Sequence, residues 1–106
     1  MKVLLFNGTL SSAQDTSEQI TGYLKNHLEY LGFEVVVFRL AAQDIPFFDP
    51  RIKETPAAVK QMLEIFRDCD RHIWLTPLYH GGMVGAMKNC LDWLVLSAQE
   101  NFPYLT

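Results

Sequence analysis

The sequence predicts an α/β fold in which a parallel sheet carries helices on both faces. Three apolar runs support this, Val3 to Phe6, Val35 to Phe38 and Ile73 to Leu75. None alternates with polar residues, which is the pattern of strands covered on both sides. Between and after them the apolar residues recur at three- and four-residue steps, the spacing of helices that bury one face. Such alternation requires crossover connections, which are right-handed and distribute helices over both faces of the sheet.

Val3 to Phe6 ends at Asn7-Gly8 and runs into a loop dense in hydroxyls, GTLSSAQDTS. Asp15 or Thr16 suits the cap of the first helix, and Glu18 stands three residues after Asp15 in a capping-box spacing. Ile20, Tyr23, Leu24, Leu28 and Leu31 are the expected inner face, and Gly32 the left-handed residue that ends the helix. After Val35 to Phe38 the periodicity disappears from Arg39 to Thr55. The stretch AAQDIPFFDPRIKET, with Pro46, Pro50 and two adjacent phenylalanines, is too long and too apolar for an idle connection. Thr55 and Pro56 form a cap and first-turn pair for the second helix, whose inner face is Val59, Met62, Leu63 and Phe66. The third strand stops at Thr76-Pro77. A loop with Tyr79, His80, Gly81 and Gly82 leads to a third helix, expected to face inward with Val84, Met87, Leu91, Leu94 and Val95. Only SAQENFPYLT follows Leu96, with no further strand and no internal repeat.

A chain of 106 residues is at most one domain, and 49% apolar residues with 20% charged ones describe a globular protein. The formal net charge of -3, with Lys and Arg scattered, provides no basic stripe for nucleic acid. Cys69 and Cys90 form no Cys-x-x-Cys pair, so neither a disulfide framework nor a zinc ribbon is indicated, and both are expected reduced in or near the core. No apolar run has the length of a membrane span or of a signal-peptide core, so a cytoplasmic protein is expected.

In an open α/β sheet, ligands bind at the carboxyl ends of the strands, which directs attention to Thr76 to Gly85 and to the loop after the first strand. The glycines and Tyr79 suit either a ligand-contacting loop or a surface turn. Several chemistries are excluded. A dinucleotide-binding turn needs three closely spaced glycines where only Gly8 stands, and neither Gly-Lys-Ser/Thr nor Gly-x-Ser-x-Gly occurs. What remains is a hydroxyl-rich loop entering a helix N-terminus. Backbone N–H groups and the helix dipole favour an anion there, and Thr9, Ser11, Ser12, Thr16 and Ser17 add neutral donors. The same side chains also suit helix capping. Asp15 opposes a phosphate if it faces the loop, but not if it caps its own helix.

Together the two loops resemble the NAD(P)H-dependent FMN reductase family, a flavodoxin-like group. Pro77, Tyr79, His80 and Gly81 match the family's Pro-x-Tyr-Asn/His-Gly. Gly85, Lys88, Asn89, Asp92 and Trp93 match Gly-x-x-Lys-Asn-x-x-Asp-Trp at the same spacing. Gly8, Thr9 and Thr16 fit the family's phosphate loop, usually Gly-Ser-x-Arg followed by Ser or Asn-Thr, although Ser11 stands where arginine is common. Asp44 to Pro50 looks like the loop after the family's second strand, which often contributes to the dimer or to the rim of the active site.

The resemblance implies a three-layer flavodoxin-like parallel sheet with strand order 2-1-3 in the part present. Residues 1–106 would then be an FMN-binding domain incomplete at its C-terminus, lacking the last two strands. It implies FMN as cofactor and NAD(P)H as co-substrate, in an oxidoreductase passing a hydride through the flavin to FMN, a quinone or a similar small acceptor. A homo-oligomer such as a dimer is expected, with no nucleic-acid or membrane partner. The implied flavin contacts are Gly8, Thr9, Leu10, Ser11, Thr16 and Ser17 around the phosphate, and Pro77, Leu78, Tyr79, His80 and Gly81 along the isoalloxazine edge. Neither a catalytic acid or base nor a metal is required. His80 is read as a proton donor or a surface residue, Trp93 as core, and Lys88 with Asp92 as a weak ion pair. A flavodoxin-type electron carrier and a non-catalytic module that has lost the cofactor are the alternative functions. Weak or undetectable FMN binding is expected of this chain alone. The third strand, apolar and without an internal charge or proline, is expected to present an edge that a second chain covers or that aggregates.

Overall fold

The computed structural model describes residues 1–10, 16–79, 82–83 and 85–94. The elements run β1 (Lys2–Asn7), α1 (Thr16–Tyr30), β2 (Glu34–Arg39), a 3-10 turn (Leu40–Ala42), α2 (Ala57–Asp68), β3 (Arg71–Leu75), β4 (Leu78–Tyr79), β5 (Gly82–Met83) and α3 (Gly85–Trp93). The main sheet has the expected order β2-β1-β3. Both pairings are parallel, and Phe6 lies opposite Phe38 on one side and Trp74 on the other. A short antiparallel pair, β4 with β5, follows the main sheet, where the sequence suggests only a loop.

Strand order explains burial better than composition does. β1 lies in the middle and is buried from Val3 to Asn7, whereas β2 and β3 are only half-buried and Trp74 is 38% exposed. The uninterrupted apolar runs therefore identify the strands, but burial on both faces holds for β1 alone. Its side chains alternate between two layers. Leu4 and Phe6 join Phe38, Val59, Met62, Leu63, Phe66, Met87, Cys90 and Trp93 in the main core, which α2 and α3 close. Phe6 stacks on Phe38 at 5.1 Å, and Phe66 meets both edge-on. These offset and perpendicular arrangements suit the ring quadrupoles. The opposite face, with Leu5 and Asn7, is covered by α1.

All four expected inner residues of α2 are buried. The helix begins one residue later than expected: Pro56, extended at ψ 148°, is the N-cap position without a side-chain cap, and Ala57 opens the helix. In α3 the buried residues are Met87, Cys90, Trp93 and Leu94, while Leu91 is half-buried and Val84 and Val95 lie outside the described residues. Gly32 has φ 93° and ends α1 as expected.

The inner face of α1 differs from expectation. Tyr23 is 69% exposed, Ile20 and Leu31 are exposed, and the fully buried residue is Thr21. The cause lies in the sheet. Asn7 is buried beneath α1 and hydrogen-bonds Thr21 and Ser17, so turning the helix to bury Ile20 and Tyr23 would strand a buried carboxamide.

Cys69 and Cys90 are free and buried, as expected, and burial pushes the Cys90 thiol up to about 11. No described helix is long and apolar enough to cross a membrane. Among the described residues no group of three His, Cys, Asp or Glu side chains is placed to hold a metal ion.

Two outcomes follow from this packing. Phe66→Ala removes the ring that Phe6, Phe38 and His72 share and is expected to cost about 3–5 kcal/mol in urea unfolding. His72 donates from Nε2 to the Phe66 carbonyl at 3.2 Å, and its Nδ1 accepts from the Trp74 indole at 3.4 Å, an arrangement that requires the neutral ring. Burial holds its pKa below the ordinary 6.5. The folded state thus binds the proton less readily than the unfolded chain, so this contribution is complete above the unfolded value and is lost as pH falls through it towards the folded one. Urea midpoints between pH 7.5 and 5 are expected to fall more steeply for the wild type than for His72→Gln.

Candidate functional site

At the carboxyl ends of β1 and β3 lies a cleft of ≈ 350 Å³ lined by Thr9, Thr16, Ser17, Ile20, Leu75, Thr76 and Pro77. Its position follows from the topology, because the loops after β1 and β3 leave the sheet side by side. The Gly8 N–H donates to the Leu75 carbonyl at 2.7 Å and ties them together. A Cβ at Gly8 would come within 3.0 Å of Met87 Sδ and 3.1 Å of the same carbonyl, so the loop's close approach to α3 needs the missing side chain.

Behind the cleft the carboxamide of Asn7, 4% exposed, uses its whole hydrogen-bonding capacity. Oδ1 accepts from the Thr9 N–H at 3.1 Å and the Thr9 hydroxyl at 3.0 Å. Nδ2 donates to Thr21 Oγ1 at 3.3 Å and to Ser17 Oγ at 3.5 Å. A further contact of 2.9 Å joins the Thr9 and Ser17 hydroxyls, and Thr21 donates to the Ser17 carbonyl at 2.8 Å. The backbone N–H of Thr9 cannot accept, which fixes the orientation of the amide. The Thr9 proton then goes to Oδ1, so Ser17 donates in the contact between the two hydroxyls.

Among the described residues that line the cleft none is charged. Its electrostatics come from the positive end of α1 and from hydroxyls. Glu18, in the first turn of α1, would oppose an anion, but Arg39 at the end of β2 grips it with two nitrogens, at 3.0 Å and 2.5 Å. This contact holds the Arg39 pKa above its ordinary value.

A second groove, ≈ 470 Å³, runs past Leu10, Leu40, Gln43, Ile45, Phe47, Gly85, Ala86 and Asn89. The long segment after β2 is held there by α3. Asn89 Oδ1 accepts from the Phe48 N–H at 2.8 Å, while Asn89 Nδ2 and Trp93 Nε1 both donate to the Pro46 carbonyl at 2.8 Å. Phe48 packs edge-on against Trp93 at 5.0 Å. Two residues of the motif in α3 therefore anchor the Asp44 to Pro50 loop, and Trp93 is core as expected. Lys88 and Asp92 form the expected exposed ion pair.

Of the expected contact residues, Thr9, Thr16, Ser17 and Pro77 meet around the first cleft, with Gly8 at the base of its loop. Leu10 belongs to the second groove. Leu78 and Tyr79 form β4, with Tyr79 opposite Gly82. Ser11, His80 and Gly81 lie outside the described residues, as do Ser12 and Asp15. Asn7, Thr21 and Asn89 are site-building residues that the sequence reading passed over as positioning groups. The available signals were an asparagine closing an apolar strand and two hydroxyl residues, Ser17 and Thr21, in one helical row with Leu24 and Leu28. Asn89→Ala removes the only side chain that bonds both Pro46 and Phe48 among the described residues. It is expected to speed limited tryptic cleavage at Arg51, whose side chain is 89% exposed, about tenfold, with a loss of roughly 1–3 kcal/mol in global stability.

A sequence model described as NADPH-dependent FMN reductase matches residues 1–104. The chain is 33% identical over 101 residues to an FMN-dependent NADPH-azoreductase of Staphylococcus saprophyticus, covering 91% of this chain and 53% of that protein. It is 30% identical over 95 residues to an NADPH azoreductase of a Bacillus species, covering 89% and 50%. Among solved structures it resembles FerB, a flavoenzyme NAD(P)H:(acceptor) oxidoreductase from Paracoccus denitrificans, with a TM-score of 0.76 at 20% identity, over 89% of this chain and 50% of that one. The chain spans about half the length of the curated relatives it matches. With the sheet order, the cleft at its carboxyl ends and the anchored loop already described, these matches make the chain a member of the NADPH-dependent FMN reductase family.

Proposed function

We propose that this chain supplies the phosphate-side half of an FMN site in an oxidoreductase that passes a hydride from NAD(P)H to a small oxidised acceptor, a quinone, an azo compound or FMN itself. The observation that carries the reading is the pairing, at one sheet end, of a neutral hydroxyl cluster at a helix N-terminus with an apolar wall of Ile20, Leu75 and Pro77. This donor set fits a phosphorylated ligand: Thr16 and Ser17 would face the phosphate, Thr9 would orient the Ser17 hydroxyl, and the backbone of the loop after β3 would border the ring. When bound, the flavin supplies the hydride-transferring centre. The protein's part is to hold the phosphate, to keep Glu18 neutralised by Arg39, and to leave one side of the ring accessible. Relatives named quinone reductase, such as that of Escherichia coli, support a small flat acceptor.

The outer edge of β3 carries no strand among the described residues. We propose that residues 1–106 form the first part of a longer domain sheet, and that a further strand, from the same polypeptide or from a second copy, pairs along that edge. Sizing of the purified chain is expected to show self-association; a stable monomer holding stoichiometric FMN would contradict the incomplete-sheet reading.

Anaerobic addition of NADPH to the flavin-loaded protein is expected to bleach the flavin absorbance promptly, with a rate that saturates in NADPH. Flavin that binds but stays yellow would favour an electron carrier. Failure of the full-length protein to retain FMN at micromolar concentrations would favour a non-catalytic module.

A further inference from the structure

We propose that Asn7 is the positioning residue of the phosphate loop, and that the neutrality of its buried carboxamide is what lets the cleft accept an anion. The proposal rests on reading the cleft as a phosphate site and assigns a role to a side chain that does not line it.

Among the described residues Asn7 is the buried polar side chain that bonds both the loop and the helix around the cleft. Its carbonyl oxygen takes both donors of Thr9, and its amide nitrogen reaches Thr21 and Ser17 on α1. The distance between the loop and the first turns of α1 is thus set through a planar group that has no spare donor or acceptor. The amide also sets the direction of the hydroxyl protons. Because Oδ1 only accepts, Thr9 points its proton inward, and Ser17 donates to Thr9. Of the two, the Ser17 hydroxyl is the one that can turn its proton towards an incoming oxyanion by rotation about Cβ–Oγ, while its lone pair still receives Nδ2.

Charge matters as much as geometry. Among the described residues no cationic side chain lines the cleft, so the groups they offer an anion are neutral dipoles. A carboxylate at position 7 would keep the acceptor for Thr9, lose the donor to Thr21 and Ser17, and place a negative charge directly beneath the site, where screening by water is weak. Leucine has nearly the same shape and removes both functions without adding charge. Aspartate and leucine therefore separate charge from position.

The test compares wild type, Asn7→Asp and Asn7→Leu by amide-resolved NMR, titrating FMN and riboflavin, which lacks the phosphate, and following Thr9, Thr16 and Ser17. The wild type is expected to favour FMN over riboflavin. Asn7→Asp is expected to lose that preference about tenfold or more at pH 7.5 and to regain part of it, relative to wild type at the same pH, as the new carboxyl protonates. Riboflavin affinity should change less than about twofold in both variants, because the flavin ring does not depend on the charge at position 7. Hydrogen exchange gives a readout free of flavin: in Asn7→Leu the Thr9 amide is expected to lose its protection while Leu5, in the centre of the sheet, keeps it. An unchanged FMN-to-riboflavin ratio in Asn7→Asp would overturn the proposal. So would equal loss of both ligands together with Leu5 protection, which marks a merely structural role. If wild type shows no preference for FMN, the phosphate-site reading fails; selective loss of Thr9 protection in Asn7→Leu would still establish Asn7 as the group that positions the loop.

Discussion

A buried carboxamide must find partners or the fold carries the full cost of its desolvation, and Asn7 imposes that requirement at the point where the sheet meets the loop after β1. Thr21 and Ser17 face inward to meet it, which turns Ile20 and Tyr23 outward. The loop after β1 folds back to offer the Thr9 N–H and hydroxyl. Gly8 then reaches the Leu75 carbonyl, bringing the loop after β3 alongside. Helix rotation, loop conformation and the meeting of two strand ends thus depend on one satisfied amide.

The main architecture was legible because it rests on pattern. Three runs without alternation identified three strands, and the spacing of Val59, Met62, Leu63 and Phe66 identified the buried face of α2 residue by residue. The rest resisted for identifiable reasons. The inner row of α1 contains Ser17 and Thr21, which periodicity counts as polar and therefore assigns to solvent, although a buried acceptor and donor lay beneath them. In α3 the expected core residues Cys90 and Trp93 share the inner face with Met87, whereas Leu91, which the aliphatic pattern places there, is half-buried. Half-burial of β2 and β3 followed from strand order, which composition does not encode. The site was legible in its types, hydroxyls and glycines at strand ends, but its wiring was not. The carboxamide that links loop to helix donates to hydroxyls ten and fourteen residues along the chain, Ser17 and Thr21.

The segment after β2 shows a second way of holding irregular backbone. A stretch without regular hydrogen bonding has to place its polar groups somewhere, and here two donors from α3 converge on the single carbonyl of Pro46. Because Asn89 also receives the Phe48 N–H, the helix that follows the β4–β5 pair rigidly anchors the loop that precedes α2. The motif residues of α3 thus act through the loop they restrain, and Phe47, 92% exposed, is held outward beside the groove.

The parallel sheet also separates the two ends of its central strand. The Met1 carbonyl accepts from the Glu34 N–H, and Lys2 is bonded by its backbone N–H to Asp70 and by its ammonium to Asp68, all at the amino end of the sheet. The cleft sits at the other end, beyond Asn7, about 20 Å away along the strand. A fluorophore or surface tether joined at Met1 would therefore sit on the side of the molecule away from the cleft. That distance is short enough for energy transfer to report on the cleft and long enough to keep the label out of it.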